Sequence, residues 1–67
     1  MKKLKDLRTS RNYSCDYMAK ELGISKAYYW QIENNKRGLY YKTAIKIADI
    51  FNMRPDDLFY SEMKKDN

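Results

Sequence analysis

The sequence predicts an all-α fold, a compact single domain of five short helices. Apolar residues recur at spacings of three and four along most of the chain, which is the period of an amphipathic helix. Serine stands where two of these segments begin, and glycine or asparagine stands where several of them end. A chain of 67 residues buries only about 60% of its unfolded surface, so short connections between neighbouring helices are favoured.

The first helix is expected over about residues 2–11. Leu4 and Leu7 form a short apolar stripe, and Arg8 follows one turn after Leu4. Asn12 then breaks the helical pattern.

Two serines and one glycine delimit the second and third helices. Ser14 is a good N-cap, because its hydroxyl can accept a hydrogen bond from a first-turn amide, and it predicts a helix over about 15–22. Gly23 follows as the residue that takes a left-handed C-terminal conformation without a Cβ penalty. Ser25 is a second cap and predicts a third helix over about 26–34.

The remaining residues complete the set of five helices. Asn34 and Asn35 end the third helix, since asparagine is next to glycine in tolerating the left-handed conformation. A wide apolar face over about 41–51 predicts a fourth, well buried helix. Pro55 suits the first position of a fifth helix, and residues 61–67 are expected to be a frayed tail.

Composition excludes several classes of function. The chain has no histidine and one cysteine, Cys15, which excludes imidazole catalysis, the usual zinc ligand sets and an internal disulfide. Gly23 and Gly38 are too far apart to form a glycine-rich phosphate loop. No nucleophile has a partner base, so we expect no enzyme, no cofactor and no metal.

The charge balance favours an acidic partner. Fourteen Lys and Arg residues against nine Asp and Glu residues give a net charge of +5, which suits nucleic acid. Asp6 and the polar residues after it interrupt any signal-like apolar run, and no stretch approaches the ~18 apolar residues of a membrane span. With a lone thiol, these features predict a cytoplasmic protein.

A helix-turn-helix unit is predicted over about residues 15–34. Two helices joined by the three residues 23–25 match this motif, whose second helix can lie in a DNA major groove. Ala19 allows the two helices to cross closely. The expected apolar wedge between them consists of Met18, Leu22, Ile24, Tyr29 and Ile32. An ordinary helical hairpin with the same caps is the alternative interpretation.

From Leu4 to Phe59 the chain resembles the lambda-repressor-like domains of the phage repressor and Cro type, the XRE family of bacterial regulators. The resemblance implies five helices around one small core. The chain departs from the family pattern at Tyr29, Trp30, Asn35 and Leu39. The matching motifs are Leu7-Arg8, Met18-Ala19, Leu22-Gly23-Ile24-Ser25, Ile32-Glu33, Lys46-Ile47-Ala48, Asn52-Met53 and Leu58-Phe59.

The resemblance also implies roles for individual residues. Arg8 and Glu33 would form a partly buried ion pair, the alternative being two solvated surface charges. The base-reading side chains would be Lys26, Ala27 and Gln31, which suit guanine, the thymine methyl group and adenine respectively. Tyr28 is a further candidate for base contact, and simple solvation of this helix face is the alternative.

Phosphate contacts are expected on both sides of the third helix. Backbone amides near Ser14 and Cys15 lie at a helix start, where the dipole favours an anion. Beyond the third helix, a basic loop can contact the DNA backbone, although such loops are also common as solvated features. The candidates there are Asn34, Lys36, Arg37 and Lys42.

Ten aromatic residues are more than so small a core can bury, so some must be exposed. Trp30, Tyr40, Tyr41 and Tyr60 cannot all be buried, and we favour a protein interface over base stacking as the role of the exposed ones. Because family members commonly form pairs to read two half-sites, a homodimer surface is expected near the end of the fourth helix. Its candidates are Ile50, Met53, Phe59 and Tyr60.

The combined prediction is a non-enzymatic regulator that binds double-stranded DNA sequence-specifically, as a dimeric repressor on a palindromic operator. The first alternative is a protein-interaction module on the same fold, such as an antitoxin or an anti-repressor partner. Binding of single-stranded RNA is a third hypothesis, which competition with duplex DNA would test.

Overall fold

Short helices with tight connections make up the chain, as the sequence predicted. A computed structural model describes the backbone of residues 1–64 and the side chains of residues 1–60, and no strand occurs in that part. Its radius of gyration of 11.0 Å is that of a compact domain of this length. The predicted all-α, five-helix fold is therefore confirmed. The helices are α1 (Lys2–Ser10), α2 (Cys15–Leu22), α3 (Lys26–Glu33), α4 (Tyr41–Ile50) and α5 (Pro55–Lys64).

The two predicted serine caps are both present. Ser14 Oγ accepts a hydrogen bond from the amide of Tyr17 at 2.9 Å, and Ser25 Oγ accepts one from the amide of Tyr28 at 3.0 Å. Both serines have the extended backbone typical of N-caps. The starts of α2 and α3 are thus fixed by local chemistry.

Four helices end in the same backbone motif. Gly23 follows α2 with φ of 71°, while Asn12, Asn35 and Asn52 follow α1, α3 and α4 with φ between 56° and 60°. In each case the next amide donates to the carbonyl five positions earlier, over 2.8 to 3.1 Å. These are Schellman caps, in which asparagine replaces glycine three times because it tolerates the left-handed region.

Helix α5 is longer than expected and continues to Lys64. The predicted frayed tail covers residues 61–67. The side chains of all these residues, and the backbone of residues 65–67, lie outside the described part of the chain. Fraying of this tail therefore stays a prediction.

The core forms where the helices converge. Helix α2 packs most extensively on α3 and also contacts α4, while α5 contacts α1 and α4. Helix α1 additionally contacts α3. The buried apolar residues are Leu4, Met18, Ala19, Leu22, Tyr29, Ile32, Ala44, Ile47, Ala48, Phe51, Leu58 and Phe59.

A buried ion pair joins α1 to the end of α3. Arg8 Nε and Nη2 donate to the two carboxylate oxygens of Glu33, each at 2.9 Å. Tyr29 Oη donates a third bond to Glu33 at 2.7 Å, and Arg8 Nη1 donates to the Tyr13 carbonyl at 2.8 Å. Arg8 and Glu33 are 9% and 3% exposed, so this is the partly buried pair that the family resemblance implied.

The hydrogen bonds of this network fix its protonation states. Burial would raise the pKa of Glu33, but the hydrogen bonds from Arg8 and Tyr29 outweigh it and hold that pKa below its ordinary value. The bond to Glu33 raises the pKa of Arg8. Burial, and then the bond to Glu33, raise the pKa of Tyr29, so its phenol remains a donor.

Breaking the pair should strongly destabilise the fold. We expect Arg8→Ala and Glu33→Ala each to lower the free energy of unfolding by about 3–5 kcal/mol, because each leaves a buried charge without its partner. The milder Tyr29→Phe should cost about 1.5–3 kcal/mol, since it removes one hydrogen bond to a charged group. Chemical denaturation followed by circular dichroism measures all three.

The control is the exposed pair of Lys2 and Asp6, whose charged atoms are 2.9 Å apart. Asp6→Ala should cost about 0–1 kcal/mol, as exposed pairs usually do. Losses below 1 kcal/mol for both Arg8→Ala and Glu33→Ala would contradict a structural role for the buried pair.

The lowered pKa of Glu33 predicts a specific acid sensitivity. A carboxylate whose pKa is lower in the folded state stabilises the protein fully above its unfolded pKa, and that stability is lost as the pH falls through the folded pKa. We therefore expect the free energy of unfolding to decrease below about pH 4.5, the ordinary glutamate value. Denaturant titrations across the acid range measure this.

Two variants isolate the contribution of Glu33. Glu33→Gln should flatten the acid dependence, leaving a slope from Asp57, whose pKa the hydrogen bond from Arg54 lowers. Tyr29→Phe removes a bond that lowers the folded pKa of Glu33, so the acid-dependent loss of stability should be smaller and should be complete at a higher pH, while its onset stays at the unfolded pKa. Acid profiles that run parallel to the wild type in both variants would refute this assignment.

Candidate nucleic-acid interface

Helices α2 and α3 form a helix-turn-helix unit with a three-residue turn. Gly23 opens the turn, and a Cβ there would meet nothing within 4 Å, so the positive φ rather than space requires glycine. Ala19 is 2% exposed within α2, and Ile24 of the turn is half-buried against the core. The other predicted wedge residues, Met18, Leu22, Tyr29 and Ile32, are all buried.

The outer face of α3 carries the predicted base-reading residues. Lys26 and Ala27 are exposed in its first turn. Gln31 is half-buried one turn after Ala27, and residues at this spacing lie on one side of a helix. Tyr28 is also half-buried and lies three positions before Gln31. The fold thus leaves these side chains outside the core, on one short helix.

Arg37 binds this outer face from the loop after α3. Its Nε donates to Gln31 Oε1 at 2.9 Å, and its guanidinium carbon lies 5.2 Å from the ring centroid of Tyr28. That distance is within the range of a cation–π contact. The amide of Lys36 also donates to the Gln31 carbonyl at 2.8 Å, so the loop starts close to the same residue. Arg37, a predicted phosphate contact, therefore binds Gln31 and lies against Tyr28, which are both predicted base contacts.

The start of α2 has the features of an anion-binding helix end. Ser14 is exposed and Cys15 is half-buried. The Ser14 hydroxyl oxygen caps the amide of Tyr17, and the amides before Tyr17 have no acceptor one helical turn earlier. The helix dipole there favours negative charge.

The other phosphate candidates are exposed on the far side of α3. Lys36 lies in the loop, and Lys42 lies in the first turn of α4. Asn34 is exposed as well, but its side-chain amide donates to the Trp30 carbonyl at 2.9 Å. Its bond to the helix leaves Asn34 a weaker candidate than the two lysines.

Phe59 does not belong to the predicted pairing surface. It is 0% exposed and packs in the core, so its side chain cannot meet a partner in this fold. Ile50 and Met53 are half-buried and pack against the core from outside, while Tyr60 is 60% exposed. The pairing surface is therefore reduced to these last three candidates. The other large exposed aromatics among the described side chains are Tyr17, Trp30, Tyr40 and Tyr41.

The described part of the chain contains neither a metal-binding cluster nor a membrane-spanning helix. No three His, Cys, Asp or Glu side chains there are grouped so that they could hold a metal ion. Among the helices of that same part, none is both long and apolar enough to cross a membrane. The exposed side chains of α3 and of the loop after it include cations, amides and an aromatic ring.

Two contacts of the site were not predicted from the sequence. Tyr29 was interpreted as a core residue only, yet its hydroxyl binds Glu33. Their four-residue spacing on one helix is a signal that could have shown this. The bond between Arg37 and Gln31 crosses a loop, where helical spacing gives no information.

Comparison with known proteins agrees with this geometry. A family model described as a helix-turn-helix domain matches residues 1–62. Neither the curated proteins nor the solved structures give a match. The matched range contains α1 to α4 and most of α5, including every candidate residue of the interface. The chain therefore belongs to the helix-turn-helix domain family, within the XRE and lambda-repressor-like group.

Proposed function

We propose that the protein is a sequence-specific regulator of transcription that binds double-stranded DNA in the cytoplasm, as a dimeric repressor without catalytic activity. One observation carries the proposal: α3 buries one face and presents Lys26, Ala27 and Gln31 on the other. Membership of a helix-turn-helix family indicates a DNA-binding regulator, and repression by such a small domain needs only occupancy of a promoter.

Helix α3 would read bases in the major groove. The groove is about 12 Å wide and admits one helix. Lys26 would donate to guanine O6 and N7, and Ala27 would present its methyl group to thymine. Gln31, one turn further along, would contact the next bases, with Tyr28 at the edge of the same surface.

Phosphate contacts would hold α3 in register. The free amides near Ser14 and Cys15 would bind one DNA strand, and Lys36, Lys42 and Asn34 would contact the other side of the groove. These contacts carry no sequence information, so they set affinity and its dependence on salt.

Dimer formation would use the surface of Ile50, Met53 and Tyr60. Residues 50 and 53 are apolar and half-buried, and they lie close together at the junction of α4 and α5. A twofold pair built there would present two copies of α3 to half-sites about one DNA turn, 34–36 Å, apart. Such a pair reads a palindrome.

A protein-interaction module is the second candidate. Trp30, Tyr40 and Tyr41 are 50%, 71% and 67% exposed, and exposed aromatic residues are enriched in protein interfaces. An antitoxin or an anti-repressor partner would use them. A substitution of Trp30 or Tyr40 that abolished a protein complex and spared DNA binding would show that both activities coexist.

Selection from random duplex DNA tests the proposal. We expect the purified protein to enrich a palindromic site with half-sites one turn apart, because a twofold dimer presents two equivalent readers. Ile50→Glu should reduce the enriched motif to one half-site and convert a dimer to a monomer in sedimentation. Unchanged thermal unfolding controls for the fold. Enrichment of no duplex sequence would reject the proposal and favour the interaction module.

Replacing a lysine that is predicted to contact phosphate should change DNA binding differently from replacing one that is predicted to contact bases. Lys36→Ala should weaken binding to all sequences and reduce the slope of log affinity against log salt by about one, as loss of one phosphate contact does. Lys26→Ala should instead cost about 1–3 kcal/mol on the selected site and relax its base preference. Both changes remove one exposed lysine, so each variant is the control for the other. Identical effects on the selected site and on random DNA would contradict this division.

A further inference from the structure

We infer that Arg37 fixes the orientation of the Gln31 side chain, so that the two residues together read guanine and discriminate against adenine. The inference deepens the proposed function and rests on it, because it assigns a base to Gln31, a side chain that the proposed function places in the major groove. From the sequence alone, Gln31 was expected to suit adenine.

Only one orientation of the Gln31 side-chain amide allows a hydrogen bond with Arg37. Arginine carries hydrogen-bond donors and no acceptor, so Gln31 must turn its carbonyl oxygen toward Arg37. Arg37 Nε lies 2.9 Å from Gln31 Oε1 in this arrangement. The amide nitrogen of Gln31, with its two donors, is therefore directed away from Arg37.

Arg37 is itself held in place before any DNA is bound. Its guanidinium carbon lies 5.2 Å from the ring centroid of Tyr28, one helical turn from Gln31 on α3. The backbone amide of Lys36 donates to the backbone carbonyl of Gln31 at 2.8 Å, and this bond fixes where the loop starts. Side chains that are ordered in the free protein lose less entropy on binding, which favours specificity.

The ordered pair presents mainly donors to the groove. Glutamine reads adenine by accepting from N6 while donating to N7, and that requires its carbonyl oxygen. Here Arg37 Nε occupies one of the two lone pairs of that oxygen, so the pair keeps one acceptor position against the donors of the Gln31 amide nitrogen and of the other guanidinium nitrogens. Guanine offers two acceptors, O6 and N7, in the major groove, whereas the adenine N6 donor would face a surface on which donors predominate.

Binding to paired duplexes tests the inference. Gln31→Ala first identifies the base pair at which the sequence preference is lost. The selected site is then synthesised with guanine or with adenine at that base pair, and the dissociation constant of the protein for each duplex is measured. We expect the wild type to prefer guanine by roughly tenfold, the scale of one good base contact. Arg37→Lys keeps the charge but loses the planar donor set, and it should reduce this ratio to about one or reverse it.

Lys36→Ala is the matched control, because it removes the neighbouring charge and keeps the backbone bond to Gln31. It should preserve the guanine preference while reducing the salt slope by about one. Arg37→Lys should leave the salt slope unchanged. All of these side chains are outside the core, so thermal unfolding should not change.

The outcomes separate the inference from the proposed function. A wild type that selects no duplex site rejects both. A selected site with adenine at the Gln31-dependent position, no such position at all, or an unchanged base ratio in Arg37→Lys would overturn the inference and leave a DNA-binding regulator standing. Loss of guanine preference in Arg37→Lys, with preference retained in Lys36→Ala, supports it.

Discussion

The buried contact of Arg8 with Glu33 is the interaction on which the arrangement of this small domain depends. Glu33 is the last residue of α3, where the helix dipole disfavours a negative charge, so the carboxylate needs compensation. Arg8 supplies two hydrogen bonds and Tyr29 a third. The same guanidinium binds the carbonyl of Tyr13, the residue before the cap of α2. One arginine therefore fixes α1, the entry to α2 and the end of α3 relative to one another.

This constraint matters because α3 cannot hold its conformation alone. A helix of eight residues is too short to be stable in isolation and depends on tertiary contacts. Its inward face supplies them through Tyr29, Ile32 and Glu33, all buried. Its outward face, which carries Lys26, Ala27 and Gln31, then contributes little to stability and is available for recognition. Substitutions on the two faces should consequently affect different properties, folding on one side and DNA preference on the other.

The sequence predicted the features that local chemistry decides. Ser14, Ser25 and Gly23 act within one helical turn, so their residue types alone indicate where helices begin and end. Phe59 was placed wrongly as a pairing residue because a core and a pairing surface are both apolar, and spacing does not distinguish them in a short last helix. The pair of Arg8 and Glu33 spans 25 residues and was suggested only by family resemblance. Contacts of this range depend on how helices pack, which periodicity does not encode.

Asn35 connects the structural network to the recognition face. It takes the left-handed conformation directly after α3, with φ of 59°, at a position where the family pattern has glycine. Asparagine is less free than glycine in the unfolded chain, so the turn it makes costs less entropy to order. That turn brings the Lys36 amide back to the Gln31 carbonyl, and Arg37 then reaches the Gln31 side chain. Because the end of α3 is held by Arg8, the loop starts from a fixed point. The loop that carries Arg37 to Gln31 thus begins at a helix end that the buried ion pair holds.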